Sequence, residues 1–591
     1  MAATLPLQTA PGRSWRIAFL FGLICLFALA ISARLAYWQV AQSPVLQKRL
    51  AAQHTLDETV PARRGQILDA NGDLLAGNLS VDYVYAVPSQ LSNPEETAAR
   101  LAAALGTSVD RLLGPLSDRS KHYVRLLGGR KLTPDESARV AALRLPGIFL
   151  EPATKRVYPE KQLAAHVLGF VDAESQGWYG LEQHYREAIG GRPGHIRAER
   201  DTAGNEIAFS DRQWSPPVDG QDLILTIDRT IQYIAERELD RAIVQHKASG
   251  GTVIVMDPRT GAIRAMASRP AFDPNRYDEF AERTEVFANP AISHLYEPGS
   301  TFKIFTVAAA LNERVVTPDW KMNDTGVFPV GGYQLRNWNF RANGLINVTQ
   351  LLEKSSNVGA ATIAFKTGKE RFYRYVSLFG FGQPTGIDLQ GEAAGIVKQP
   401  GARDWGEVDL ATNSYGQGIS VTPIQIVTAA AAVANGGIMM RPYVVDRIVD
   451  PPTGKVVHKT RPQIVRQVIT RETASTLLEM LWQAAENGET RGALVPGYRV
   501  AGKTGTASIP VNGRYDPDLT IASFVGAVPA QDPQFVVLVK IDRPADEPWG
   551  SLIAKPAFAI IAQELTRYLK IPHTERRLPP TPAATPAGRG R

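Results

Sequence analysis

The chain has 591 residues, 44% hydrophobic and 21% charged, with a formal net charge of +7. These are the values of a globular protein with a real core, and they exclude a disordered or fibrous chain. The weak positive balance, with no Lys/Arg block interleaved with aromatics, excludes an obvious nucleic-acid binder. The single cysteine, Cys25, leaves no disulfide framework and no Cys/His metal site, and no cofactor is expected.

The first feature along the chain is topological. After a short tail, residues 1–16, the run from Ile17 to Ala33 carries no charge, and apolar character continues to Val40. A membrane-spanning helix needs roughly 20 such residues. Arg34 can snorkel, and Tyr37 and Trp38 suit an interface. Arg13 and Arg16 precede the run with no acid beside them, so residues 17–40 read as an anchor with its N-terminus in the cytoplasm. The competing reading is a cleaved signal peptide ending near Ala28-Leu29-Ala30, but the apolar stretch continues well past that point. The body beyond is expected on the outer side of a bacterial cytoplasmic membrane, in the periplasm or on the cell-wall side.

Residues 41–60 read as a helix leaving the membrane, on Val45, Leu46 and Leu50, with Pro61 as its stop. Asn71-Gly72 between two short apolar runs predicts a tight hairpin, and Val81 to Val87 alternates as a strand. Residues 93–145 have helical spacing, and 150–215 are broken by Gly and Pro. The stretch 41–215 thus reads as an elongated mixed module without a catalytic constellation. A boundary falls at Ser215-Pro216-Pro217. Beyond it, strands are expected at 223–227, 252–256, 262–267, 523–528 and 535–541, with helices at 230–245, 301–312, 347–366, 422–434 and 472–486. Strands at both ends with helices between them predict an α/β domain over 216–572, an antiparallel sheet packed with helices. From 573 the Pro-, Ala-, Thr- and Arg-rich tail is expected to be disordered.

Three short segments carry chemistry. In Pro298-Gly299-Ser300-Thr301-Phe302-Lys303 the Pro-Gly pair breaks the chain before an apolar helix. Ser300 and Lys303 then lie one turn apart on one face. A serine hydroxyl needs an adjacent base, and a lysine can be that base only when neutral, which burial and a helix N-terminus both favour. Alone, this is as readily a helix cap with a solvated lysine. Ser355-Ser356-Asn357 interrupts what otherwise reads as a buried helix, and alone is as readily a helix–helix junction. Val500 to Ala507 reads as a strand with Gly502 and Gly505 flanking Lys503-Thr504. Glycine in a strand marks close approach of a ligand or another backbone, and a free strand edge can bind an extended peptide.

Ser-x-x-Lys, Ser-x-Asn and Lys-Thr-Gly in this order form the signature of penicillin-binding proteins and serine β-lactamases. The chain resembles a class B penicillin-binding protein over nearly its whole length. Arg64-Gly65 through Ala76 and Gly180-Leu181-Glu182 resemble structural signatures of that family's non-catalytic pedestal. Tyr415-Gly416-Gln417-Gly418 resembles a segment of its catalytic domain. The resemblance implies a D,D-transpeptidase that cross-links peptidoglycan stem peptides ending in D-Ala-D-Ala and is inhibited by β-lactams. Ser300 would be the acylated nucleophile and Lys303 its base. Ser355 and Asn357 would relay protons and hold the donor peptide. Lys503 would supply positive charge, and Thr504, Gly505 and Thr506 would line the substrate strand. The backbone N–H groups of Ser300 and Thr506 would form the oxyanion hole. Strand alternation puts Lys503 and Thr504 on opposite faces, so their joint role rests on the resemblance. Where the family often has Ala-Ala-Pro, this chain has Ala554-Lys555-Pro556.

Tyr296-Glu297 and the segment 523–544 look more like the division-type than the elongation-type members. The implied partners are a glycan polymerase of the SEDS family and division-complex proteins. A D,D-carboxypeptidase or β-lactamase would share all three motifs, but no Glu-x-x-Leu-Asn deacylation element is present. A catalytically idle scaffold is the remaining alternative.

Overall fold

The computed structural model describes residues 14–46, 55–199, 212–488, 495–511 and 514–574. They belong to two compact units, Met1–Ala62 with Arg192–Asp219, and Arg63–Gly191 with Gly220–Arg591. The tail expected from 573 lies almost wholly outside the described residues, as do 1–13 of the N-terminal tail.

In the first unit, an α-helix over Ser14–Ala36 runs on as a π-helix over Tyr37–Ala41. Trp15–Ala41 is apolar and wholly exposed, and its 27 residues span about 40 Å, more than a bilayer's hydrocarbon core. Of the helix expected over 41–60, residues 43–46 are helical, 47–54 lie outside the described residues, and the end is not helix. Thr55–Val60 is a strand, paired antiparallel with Gly194–Glu199, which in turn pairs with Gln213–Ser215. The β-branched Thr55, Thr59 and Val60 favour extension, and the partner that fixes it comes from some 140 residues further along.

The second unit begins with the hairpin. Gly72, at φ +91°, turns Ile67–Leu68 back onto Leu74–Ala86, and the latter pairs along its length with Ile148–Val157. Helices Pro94–Leu105 and Pro134–Leu143 start at Asn93 and Thr133, whose side chains accept from backbone N–H groups in the first turn. Their Leu101, Leu105 and Val140 pack against Val84 and Ala86 of the sheet. The two pedestal signatures meet each other. Buried Glu182 accepts from Arg64 Nε at 2.6 Å, Arg156 Nε at 2.8 Å and the Tyr158 hydroxyl at 3.1 Å. Burial alone would push this carboxyl up, but Arg156 and Arg64 outweigh it and hold it below the usual range.

Ile67–Leu68 also lies parallel to Leu223–Ile224. Asp69 then accepts from Arg229 N at 2.9 Å, at the start of helix α1 (Arg229–His246). Residues 63–191 therefore fold with 220–574 as one body, through a shared sheet and a shared helix start.

Five antiparallel strands form the sheet that follows: β1 (Gly250–Met256), β2 (Ile263–Arg269), β3 (Ala501–Val511), β4 (Arg514–Val528) and β5 (Phe535–Asp542), in the spatial order β2-β1-β5-β4-β3. Both faces are covered, so the strands read as continuous apolar runs that divide by period two. Val537, Val539 and Ile541 of β5 pack with α1 and a C-terminal helix (Ala554–Tyr568) on one face. Val536 and Leu538 face the other, with the buried helices α2 (Lys303–Asn312) and Pro423–Ala434. β3 is an edge strand.

Candidate active site

Gly299–Phe302 forms a 3₁₀ turn that feeds directly into α2. Gly299 has φ +55°, and a Cβ there would sit 2.6 Å from the Thr506 carbonyl oxygen of β3. Glycine is what allows the turn to lie against the strand. Its N–H donates to the Gly416 carbonyl at 3.0 Å, which ties in the Tyr-Gly-Gln-Gly segment. Ser300 is thereby held half-buried beside β3.

Lys303 is fully buried, and its Nζ is the hub of the site. It lies 2.9 Å from Ser300 Oγ, 2.7 Å from the Ser355 carbonyl oxygen, 3.2 Å from Ser355 Oγ and 2.8 Å from Asn357 Oδ1. Four oxygens around one nitrogen leave it little rotational freedom, so it is aimed at the serine before any substrate arrives.

The single helix expected over 347–366 is two, α3 (Val348–Glu353) and α4 (Asn357–Thr367). Ser355, at φ +52°, breaks the run, and Ser356 caps α4. The segment is thus both a helix–helix junction and part of the site. Left-handed backbone at a non-glycine residue is strained, and here that conformation turns both the Ser355 carbonyl and its hydroxyl onto Lys303. Below the junction lies a group that sequence reasoning missed. Asp324 is fully buried and accepts from Ser356 Oγ at 2.6 Å, Asn343 Nδ2 at 2.6 Å, Asn337 Nδ2 at 2.9 Å and Gly326 N at 2.9 Å. Asn337 Oδ1 in turn accepts from the backbone N–H groups of Asn357 and Val358, at 2.9 and 3.2 Å.

On β3, Thr504 and Thr506 face the same cavity, and Lys503 points to the other side, as alternation requires. Its stem bends round so that Nζ lies 3.2 Å from Thr504 Oγ1. Thr506 Oγ1 accepts from Gly550 N at 3.1 Å. A Cβ on Gly505 would lie 2.8 Å from Thr301 and 2.9 Å from the Pro298 carbonyl, so the strand needs glycine to reach the serine turn.

These groups line a cleft of about 330 Å³ that holds Ser300, Ser355, Asn357, Thr504 and Thr506 together. Its far wall is aromatic. Trp338 and Trp549 meet edge to face at 5.0 Å between centroids, with Tyr415 nearby. Neither tryptophan belongs to a motif. Their signal was an aromatic side chain set between Asn residues or between Pro and Gly, where no core periodicity explains it. A larger cleft of about 850 Å³ lies between Asn435-Gly436, helix Arg471–Asn487 and Ala530–Pro533, and neither Ser300 nor Lys303 lines it. Glu297 braces the mouth of the site, accepting from Gly418 N at 3.0 Å and the Tyr515 hydroxyl at 3.1 Å. Burial pushes its carboxyl up against the opposing pull of those two bonds.

A serine clamped to a buried lysine, an Asn-bearing helix start and a Lys-Thr-Gly edge strand define a serine acyl-transfer site. Comparison with known proteins agrees. Residues 251–563 match the penicillin binding protein transpeptidase domain, and 59–225 match the penicillin-binding protein dimerisation domain. The chain belongs to the penicillin-binding protein family, in its class B branch. It is 38% identical over 547 residues to stage V sporulation protein D of Bacillus subtilis, covering 92% of this chain and 84% of that one. It is 31% identical over 568 residues to the peptidoglycan D,D-transpeptidase FtsI of Escherichia coli, covering 94% and 92%. The structure of penicillin binding protein 3 from Mycobacterium tuberculosis complexed with ampicillin superposes with a TM-score of 0.68 at 27% identity, covering 88% of this chain and 99% of that one.

Proposed function

We propose that this chain is a peptidoglycan D,D-transpeptidase working through an acyl-enzyme on Ser300. The observation that carries the assignment is the 2.9 Å approach of Lys303 Nζ to Ser300 Oγ, with the lysine already held by Ser355 and Asn357. Neutral Lys303 takes the Ser300 proton as Oγ attacks the carbonyl carbon between the last two D-alanines of a stem peptide. The developing oxyanion is met by the backbone N–H groups of Ser300 and Thr506. The C–N bond breaks, and the amine of the departing D-alanine takes a proton passed from Lys303 through Ser355 Oγ. Thr504 and Thr506 hold the substrate's terminal carboxylate, with Lys503 supplying positive charge from beneath. Asn357 holds the donor peptide's backbone. An acceptor amine from a second stem peptide then attacks the ester, loses its proton by the reverse relay, and restores the Ser300 hydroxyl. A β-lactam enters by the same first step, and its ring opens to leave a stable ester.

The Trp15–Ala41 helix anchors the protein by a single pass. Arg16 at its start, with Arg13 before it, supports an N-terminus inside and the catalytic part outside. Tyr296-Glu297 and segment 523–544 support a role in septal wall synthesis, with a SEDS-family glycan polymerase engaged through the anchor and pedestal.

The test is to incubate the purified chain with a fluorescent penicillin and map the label by peptide mass spectrometry. A stable adduct on Ser300 that disappears in Ser300→Ala is the expected result. Fast penicillin turnover without an adduct would make the protein a hydrolase, and no reaction at all would leave a scaffold. For the septal role, a fluorescent fusion should concentrate at the division site. An even distribution along the sidewall would overturn that part.

A further inference from the structure

Lys555 is a buried lysine behind the substrate strand, and the reaction as described has no use for it. It is the second residue of helix Ala554–Tyr568, and only 6% of it is exposed. Its Nζ donates to the Ala485 carbonyl at 3.2 Å. Ala485 is in the last turn of helix Arg471–Asn487, so the ammonium sits at the negative end of that helix. The same small cavity, about 20 Å³, is lined by Lys503 and Thr504 of β3, by Ser355, and by Glu353 at the end of α3. Two buried lysines thus face one space directly behind the strand that receives substrate, with Glu353 the acid on its wall. Phe524 of β4, Leu352 and Ala484 add apolar surface to the cavity, and Ser551 a hydroxyl.

That placement has an electrostatic effect. Lys503 bends toward Thr504, on the substrate side, and Lys555 occupies the rear. A positive charge fixed at the rear disfavours retreat of the Lys503 ammonium, and it adds positive potential to the face where Thr504 and Thr506 lie.

We propose that Lys555 is a positioning residue for acylation, its ammonium holding Lys503 forward and strengthening the site for the carboxylate of a stem peptide or β-lactam. The proposal rests on Ser300, Lys503 and Thr504 forming the reacting site. Burial brings Lys555 down to about 8, so it is charged at neutral pH and neutral in mild alkali. The assistance is therefore present below pH 8 and fades above it.

The experiment measures the second-order rate of Ser300 acylation by a fluorescent penicillin between pH 6.5 and 9.5. It uses the full chain in detergent, as wild type, Lys555→Met and Lys555→Arg, with melting temperatures recorded alongside. Lys555→Met should acylate about threefold to tenfold more slowly at pH 7, the effect of one unit charge acting through a partly screened interior. It should also lose the wild-type decline near pH 8. Lys555→Arg, charged at every pH tested, should keep the fast rate and move the decline upward. A Lys555→Met profile that parallels wild type at all pH values, with or without a lower melting temperature, would overturn the proposal and leave a packing role. Failure of the wild type to label at Ser300 would overturn the site assignment as well, so the two failures are distinguishable.

Discussion

Asp324 touches no substrate-facing atom, yet it should control acylation. Replacing it with Asn keeps the shape and removes the charge. The carboxylate accepts from four groups, Ser356 Oγ, Asn343 Nδ2, Asn337 Nδ2 and Gly326 N. An amide at 324 keeps one acceptor oxygen and turns its other end into a donor. Whichever way it is set, that NH₂ faces a side-chain amide that is already donating. At least two hydrogen bonds to a charged acceptor are lost, each worth about 1.5–3 kcal/mol, so the local cost is about 3–6 kcal/mol. The cheapest release is for the Ser356 turn and the Asn337 loop to move. That motion carries Ser355 and Asn357 away from Lys303 and shifts Trp338 in the cleft wall. Displacement of this kind costs about 100-fold in rate. Stopped-flow acylation by a chromogenic β-lactam should show Asp324→Asn slowed about 100-fold, with initial binding changed far less and the far-ultraviolet circular dichroism unaltered. A folded Asp324→Asn acylating at the wild-type rate would refute the argument that this carboxylate positions the Ser-x-Asn turn.

Glu182→Ala leaves Arg64 and Arg156 facing each other in a buried place, and should cost about 3–5 kcal/mol, seen as a lower midpoint in urea. His166 is buried against Phe272, with Nε2 3.0 Å from the Val286 carbonyl oxygen, and burial lowers it from 6.5 to about 4 despite that bond. The folded protein therefore favours neutral His166. Its contribution is complete above pH 6.5 and is lost as pH falls toward 4, up to about 3 kcal/mol, and His166→Gln should flatten the acid side of a stability profile. Gly416→Ala would place a methyl against the Gly299 backbone at φ +83°, and should slow acylation by a fluorescent penicillin at least tenfold with the far-ultraviolet circular dichroism unaltered.

The reacting groups were legible in the sequence because their spacing reflects local geometry. Ser300 and Lys303 are one turn apart on any helix, and Lys503 to Thr506 lie along one strand. The five-stranded sheet was legible from its apolar runs, and the hairpin of the other sheet from Asn71-Gly72. The residues that hold those groups were not. Asp324 ends a short strand, Lys321–Asp324, and Asn337 lies in a turn, and only the chain's path brings them beneath Ser356. Trp338 and Trp549 are more than 200 positions apart and meet across the cleft. The misread end of the helix expected over 41–60 has the same origin. Thr55–Val60 is extended because of Gly194–Glu199, a partner that no local pattern announces. The break at Ser355 was hidden by good helical spacing on either side, and it depends on a left-handed backbone that Lys303 helps to secure.

The chain crosses between its two compact units three times, at 62–63, 191–192 and 219–220. At those crossings Gly65 N donates to the Ile189 carbonyl, Gly220 N to Arg63 and Gln221 N to Ala188, so the second unit's three chain ends are laced to one another. A single cut at one of those three crossings therefore does not by itself separate the catalytic part from the first unit. A cut at 191–192 or 219–220 leaves the covalent path through 62–63 unbroken. A cut at 62–63 leaves the anchor-side strand Thr55–Val60 seated along its full length on Gly194–Glu199, which is still joined to the rest of the chain. The join between the two units is redundant, and it survives damage at any one crossing that would part units held by a single linker.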